Sequence, residues 1–188
     1  KADAPPDLVL AQLGLFAPDV AHLGIIIGTG NSSDQVGRSI QAAKDAGMSV
    51  TARRVGSARD VRRAFAHMRN DVDALWVLPD REVIDPTSFH LLRREAERAR
   101  MPVLAWSPML VEAGAFICVA PDLGRVGEQS AELAKDILEG TTAGTIDLVE
   151  PDATRVVLNR DTMETIGLVI DDELMDFVDE VVRRPAAR

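Results

Sequence analysis

The chain has 188 residues, 46% of them hydrophobic, and a formal charge of −9 at pH 7. A domain of this length buries roughly 70% of the surface that its unfolded chain would expose, so no disulfide or metal is needed to stabilise it. The negative charge disfavours nucleic acid, whose phosphates require a basic face. No apolar run approaches the roughly 20 residues of a membrane span, so a membrane-spanning protein is not expected.

The single cysteine does not decide the compartment of the chain, and the first residues leave two origins of the chain open. Cys118 lies in an apolar run, where a buried and unreactive thiol is expected. The sequence begins at Lys1 without an initiator Met or an apolar signal segment. We expect either a mature chain from which a signal peptide has been removed or a chain that starts at a chosen boundary.

Strand and helix signals alternate along the first 140 residues. Continuous apolar runs predict strands, because both faces of a covered parallel sheet are apolar. Serine, aspartate, proline and glycine mark the helix ends. The predicted strands are Leu23–Gly28, Ser49–Val55, Asp73–Leu78, Pro102–Trp106 and Ala113–Val119, and the predicted helices are Asp34–Ala46, Ala58–Arg69, Pro86–Arg100, Pro108–Glu112 and Leu123–Leu138.

This alternation predicts an α/β fold with three layers. Five parallel strands form a doubly wound sheet in the order 2-1-3-4-5. After residue 140 the pattern changes to a strand near Thr145–Val149, a strand Arg155–Leu158 and two helices with acidic first turns. We therefore predict an α/β lobe over residues 1–140, an extension over residues 141–184 that packs on the same lobe or on a partner, and a flexible tail over residues 185–188.

Ligands of open α/β sheets bind at the carboxyl ends of the strands, so the loops there supply the candidate site. The loop 28–33 has glycines that suit a phosphate, but it lacks both the G-x-G-x-x-G pattern and the P-loop lysine. A tight turn with a serine helix cap is favoured instead. The candidate ligand-binding residues of all these loops are Thr29, Asn31, Ser32, Ser33, Asp80, Trp106 and Ser107.

Several of these candidates have a structural alternative. Asp80 suits a hydrogen bond to a ligand and a turn or helix cap equally well. Trp106 suits an aromatic wall or a core position, and the core is slightly favoured because the preceding strand is apolar. Asp122 precedes a helix and is predicted to be its N-cap.

Signs of catalysis are sparse in the sequence. His22, His67 and His90 are scattered without a ligand at metal-binding spacing. There is no G-x-S-x-G motif, and the acidic run 171–173 fits the start of a helix. We predict a protein that is not an enzyme and that has no metal or cofactor.

An ordered set of segments covers nearly the whole chain. They are Leu13–His22 as a helix leading into the strand at Leu23, Asp73–Asp80, Met101–Ala105, Glu112–Ala115, Asp122–Gly127, Val156–Asn159 and Ile166–Ile170. In this order the segments resemble the carboxyl-terminal part of the ABC-transporter substrate-binding family of tryptophan and tyrosine uptake proteins.

The resemblance implies one lobe of a periplasmic-binding-protein fold, in which two α/β lobes close around a small solute that a permease and an ATPase then import. It implies that Asp80 and the loops 28–33 and 106–109 face the cleft between the lobes. The amino-terminal lobe is expected to have no counterpart among these 188 residues. In a complete member, the tail from Arg155 is expected to pack toward that lobe.

Two functions are therefore predicted. The first is a periplasmic or otherwise extracytoplasmic component of an ABC uptake system, which binds a small solute such as an amino acid and delivers it to an ABC permease. The second is a stand-alone interaction or sensory module, in which the former cleft face is used for homodimerisation or for docking on a sensor protein. A phosphoacceptor receiver domain shares the sheet order, but its clustered acids and lysine cannot be assembled from this sequence.

Overall fold

The computed structural model of the chain describes residues 3–30, 33–80 and 82–183, with the backbone alone at Ser33. The α-helices of that part are α1 (Pro6–Phe16), α2 (Ser33–Asp45), α3 (Val61–Ala66), α4 (Pro86–Arg98), α5 (Pro108–Glu112), α6 (Leu123–Leu138), α7 (Arg160–Ile166) and α8 (Asp172–Met175). The strands are β1 (His22–Gly28), β2 (Ser49–Val55), β3 (Ala74–Trp76), β4 (Val103–Ala105), β5 (Ile117–Pro121), β6 (Thr154–Asn159) and β7 (Glu180–Val182).

The strands form one mixed sheet in the order β2-β1-β3-β4-β5-β6-β7. The first five are parallel, which confirms the predicted α/β fold and the order 2-1-3-4-5 of its parallel part. The sheet has two strands more than the five predicted, because β6 pairs antiparallel with β5 and β7 pairs parallel with β6. The tail from Arg155 therefore extends the sheet of this same lobe.

Three local predictions were wrong. No strand forms near Thr145–Val149, where a 3-10 helix (Ala143–Thr145) is followed by exposed residues without sheet pairing in the described chain. The helix predicted over 58–69 is split into a 3-10 helix (Ala58–Asp60) and the shorter α3. The helix expected within Leu13–His22 starts earlier and ends at Phe16, because Pro18 cannot continue it.

Two apolar cores cover the two faces of the sheet, and the side chains alternate between them along each strand. In β1, Ile25 and Ile27 belong to one core and Ile26 to the other. Helices α1 and α2 cover the first face, and α3 and α4 cover the second. This double coverage explains why the apolar runs of the sequence located the parallel strands.

A buried polar side chain closes the end of β6. Asn159 is fully buried, and its Nδ2 donates to the backbone carbonyl of Val111 at 2.8 Å. Its Oδ1 accepts from the backbone N–H of Thr162 at 2.9 Å and so caps α7. The Thr162 hydroxyl donates to the carbonyl of Gly114 at 3.2 Å. These bonds join the start of α7 to α5 and to the turn that follows it.

The segment between β5 and β6 stands apart from both cores. The chain leaves the sheet after Pro121 and returns at Thr154, which pairs with Pro121. Neither core includes a residue from Asp122 to Ala153, and no residue of α6 is buried. Arg125 holds the outgoing helix to the returning segment through bonds of 2.8–3.1 Å to the carboxylate of Asp152.

An apolar stripe on α6 is only partly covered within the described chain. Leu123, Val126, Leu133 and Ile137 recur at helical spacing on one face of the helix. Leu123 and Leu138 are 75% and 88% exposed, which is unusual for an amphipathic helix of a globular domain. The sequence of α6 therefore has the pattern of a packed helix without the burial that normally goes with it.

Candidate ligand-binding site

The carboxyl ends of β1, β3 and β4 lie side by side and bring the candidate loops to one edge of the sheet. Thr29 follows β1 and is exposed, and Trp106 and Ser107 follow β4 and are partly buried. Asp80 lies beyond β3 and is only 5% exposed. The candidates Asn31 and Ser32 lie outside the described residues. Of Ser33, only the backbone is described.

Asp80 joins two of these loops. Its Oδ2 accepts from the backbone N–H of Gly28 at 2.7 Å, and its Oδ1 accepts from the backbone N–H of Glu82 at 3.1 Å. These bonds give the carboxylate a structural role in holding the end of β1 beside the loop after β3. Its role in ligand binding stays a prediction.

Close approach of the two loops depends on glycine. A Cβ atom at Gly28 would lie 3.1 Å from Cγ1 of Val83 and 3.2 Å from Oδ2 of Asp80. A Cβ atom at Gly30 would lie 2.5 Å from Oε2 of Glu82. The carboxylate of Glu82 therefore rests against the backbone at Gly30, and two acidic side chains flank the loop after β1.

Trp106 lines a small cavity beneath the start of α2. Its neighbours there include Trp76, Pro79, Gln35 and Ser39, and the cavity volume is about 40 Å³. That volume suits about one water molecule and is far below the roughly 300 Å³ of a ligand pocket. The described edge thus supplies one aromatic wall and does not by itself enclose a solute.

The remaining strand ends carry helix caps and exposed apolar groups. Asp122 accepts from the backbone N–H of Arg125 at 3.1 Å, which confirms the predicted N-cap of α6. Ser107 precedes α5 without a side-chain cap bond. Met109 is 72% exposed one turn further on. Apolar surface therefore lies open at this edge beside the polar candidates.

Sequence reasoning missed Glu82, Gln35 and Trp76. The signal for Glu82 was its place two residues after Asp80, in the same loop. Trp76 was predicted only as a strand residue and Gln35 only as a helix residue, without a role in the site. Their approach to Trp106 depends on how α2 packs over the sheet, which no local pattern specifies.

Other reactive groups do not converge on this edge. Cys118 is buried, as predicted, and loss of solvent around the thiol raises its pKa to about 12. Within residues 3–30, 33–80 and 82–183, no three His, Cys, Asp or Glu side chains are grouped to hold a metal ion. None of the helices described for the chain is long and apolar enough to cross a membrane.

The doubly wound sheet with polar and aromatic groups at its carboxyl edge defines a lobe of the periplasmic-binding-protein type. The sequence model of the family "ABC transporter substrate binding protein" matches residues 11–182. The chain belongs to the ABC transporter substrate-binding protein family.

Three known proteins illustrate the similarity. The tyrosine-binding protein of Clostridioides difficile is 26% identical over 164 residues, which are 86% of this chain and 47% of that protein. The structure of an ABC domain in complex with L-Trp from Streptococcus pneumoniae superposes with a TM-score of 0.75 at 19% identity, covering 95% of this chain and 62% of that one. A conserved domain protein from Vibrio cholerae superposes with a TM-score of 0.76 at 21% identity, covering 95% and 60%.

The chain thus spans about half the length of the curated relative that it matches and about three-fifths of the two solved structures. At these identities, the solved structures establish the fold and no more. The matched part includes nearly the whole chain and therefore extends across α6.

Proposed function

We propose that the chain forms one wall of an extracytoplasmic solute-binding protein that receives a small solute, such as an amino acid, for an ABC permease. The observation that supports this most is the open carboxyl edge, where Trp106, Asp80 and Thr29 come from three different strands. A flat aromatic side chain beside backbone and hydroxyl groups suits a small amphipathic solute. The printed names of two relatives mention tyrosine and L-Trp, which makes aromatic amino acids the first solutes to test.

A second body is needed to enclose such a solute. Binding pockets cover most of a ligand's surface, whereas this edge offers a cavity of about 40 Å³. The partly exposed stripe of α6 is where we expect that body to pack. The segment from Asp122 to Ala153 leaves and rejoins the sheet at the end of β5, so a body held there would also reach the candidate site. The greater length of the relatives supports the same proposal.

The proposed role is non-catalytic. Within the proposal, Ser33, Asn31, Ser32 and Ser107 contribute hydrogen bonds to the solute, and Trp106 contributes apolar contact. Asp80 acts mainly by holding the loop after β1 in position, because its two oxygens accept backbone N–H groups.

The chain contains two tryptophans and no tyrosine, so its fluorescence reports directly on the proposed site. Both tryptophans line the cavity. We would titrate the purified chain with each amino acid up to about 10 mM, using calorimetry where the solute itself absorbs. We expect saturable binding that Trp106→Leu weakens and that Gln41→Ala, on the exposed side of α2, leaves unchanged. A folded chain that responds to no amino acid would count against the proposal.

A second candidate function is homodimerisation or partner docking through the same edge. Met109 and Leu123 are 72% and 75% exposed beside the candidate loops, and exposed apolar groups of this size are frequent at interfaces. Light scattering at micromolar concentration tests the homodimer form. A dimer that Met109→Glu separates would favour it, and a strict monomer would exclude it.

A further inference from the structure

One short segment of this acidic protein carries a net positive charge. Residues 53–69 contain six arginines, one histidine and a single acidic residue, Asp60, although the whole chain has a charge of −9. The segment runs from the end of β2 through the 3-10 helix to α3. Arg53, Arg54, Arg59 and Arg63 are all exposed.

The fold gathers part of this segment around an open cleft. The cleft has a volume of about 460 Å³, and its polar lining consists of Arg53, Arg54, Asp60, Arg63 and His67. It lies beyond the carboxyl end of β2. The backbone N–H of Thr29 donates to the carbonyl of Val55 at 3.0 Å, so the cleft adjoins the candidate site without sharing its side chains.

Most of the positive charge at the cleft is not neutralised by the protein. Asp60 accepts from Nη2 of Arg63 at 2.8 Å with one oxygen and from the hydroxyl of Ser57 at 2.9 Å with the other. Among the described residues, neither Arg53 nor Arg54 has an ion pair within 4.0 Å. The cleft lining therefore contains three arginines and a single carboxylate, both of whose oxygens are engaged.

The donors are of a type that suits a tetrahedral anion. Guanidinium groups present planar forks of N–H donors that match phosphate oxygens. His67 contacts the carbonyl oxygen of Arg63 through Nδ1 at 2.8 Å. Because a carbonyl only accepts, Nδ1 carries the hydrogen. Nε2 then accepts the hydroxyl hydrogen of a monoprotonated phosphate, or donates to a phosphate oxygen when the ring is an imidazolium.

We propose that this cleft, bounded by Arg53, Arg54, Arg63 and His67, is a binding site for a phosphate group. A phosphate group of charge about −1.5 to −2 would offset the local excess of positive charge. The group could belong to a soluble phosphate compound or to the headgroup of a phospholipid. The site is separate from the proposed solute site, and its test does not depend on the solute.

The test measures binding of two probes to the full chain at low salt. One arm titrates inorganic phosphate by calorimetry, and the other sediments vesicles of phosphatidylglycerol in phosphatidylcholine. The variant R53Q/R54Q removes the two unpaired arginines, and the matched control R38Q/R160Q removes two exposed arginines elsewhere. Thermal melting verifies that both variants are folded.

We expect saturable binding that R53Q/R54Q weakens roughly tenfold or more and that the control leaves within about twofold of the wild type. Binding of free phosphate would assign the site to soluble compounds, and binding of vesicles alone would assign it to a lipid headgroup. Failure of both probes to bind would overturn the proposal. An equal loss of binding in the two variants would also overturn it, because the effect would then depend on the overall charge and not on the cleft.

Discussion

The carboxylate of Asp80 accepts the backbone N–H of Gly28 at 2.7 Å, and this bond joins the ends of two neighbouring strands. The two residues are 52 positions apart in the chain and are both buried. The bond therefore sets the spacing of the loops that carry the candidate site, and a change at either residue is expected to affect the whole edge.

Substitution of Asp80 by Ala should destabilise the lobe by about 1–3 kcal/mol, because the buried N–H of Gly28 would lose its acceptor. Asp80→Asn should cost less, since one oxygen can still accept from Gly28. Urea denaturation of the three proteins measures the difference. Equal stability of wild type and Asp80→Ala would mean that the bond contributes nothing.

Substitution of Gly28 by Ala should also be destabilising, by about 1–3 kcal/mol, because the added methyl group would press on Val83 and Asp80. The matched control is Gly37→Ala in α2, where no atom lies within 4 Å of the added carbon. That control should be neutral or stabilising by up to about 1 kcal/mol. Thermal melting compares them, and a Gly28→Ala protein as stable as the control would contradict the close approach.

The stripe of α6 should be dispensable for the stability of the isolated lobe. Leu133→Ser and Ile137→Ser should each change the free energy of unfolding by less than about 1 kcal/mol, because Ile137 is exposed and Leu133 is only partly buried. Leu158→Ala in β6, where the side chain is fully buried, should cost about 2–5 kcal/mol. Large losses at Leu133 and Ile137 would indicate that α6 packs on the lobe itself.

The thiol of Cys118 should be unreactive until the protein unfolds. Folding raises its pKa from 9.0 to about 12, because burial disfavours the thiolate. The contribution of the buried, protonated thiol to the stability of the folded state is therefore fully present below pH 9 and is lost as the pH rises toward about 12. A thiol reagent at about pH 8 should therefore label the chain in urea and leave the folded chain unlabelled. Rapid labelling of the folded chain would contradict the burial.

Acid should selectively weaken the start of α4. Asp85 and Ser88 form reciprocal bonds there, and the backbone N–H of Ser88 is the main cause that lowers the pKa of Asp85 below 3.8. The charged Asp85 cap therefore stabilises the folded state fully above pH 3.8, the pKa of the unfolded chain. This stabilisation is lost as the pH falls below 3.8 and through the lower pKa of the folded state. Asp85→Ala should lower the melting temperature at neutral pH, and the difference from wild type should shrink on acidification. A difference that does not depend on pH would argue against a charged cap.

Most of the parallel part of the fold was predictable because β1, β3, β4 and β5 are buried on both faces. Ile25, Ile26 and Ile27 are apolar whichever core they face, so a continuous run identifies the strand without knowledge of its partners. The strand β7 was not predictable in the same way. Glu180–Val182 has three half-buried or exposed residues, and it is a strand only because β6 lies beside it.

The candidate site was predictable only in part. The topology rule located Thr29, Asp80 and Trp106 at one edge, since the rule depends on strand ends alone. The bond between Asp80 and Gly28, and the carboxylate of Glu82 against Gly30, depend on how two loops meet in space. No spacing in the sequence encodes such contacts.

The buried Asn159 has a consequence for how β6 finds its place. The connection from β5 to β6 is far longer than a hairpin turn and cannot fix the alignment of the two strands. Both faces of β6 are apolar, so a shift by one residue would still bury Val156, Val157 and Leu158. Such a shift would separate the Asn159 amide from Val111 and Thr162 and leave a buried polar group without partners. A single amide thus selects one alignment among several that hydrophobicity alone would accept.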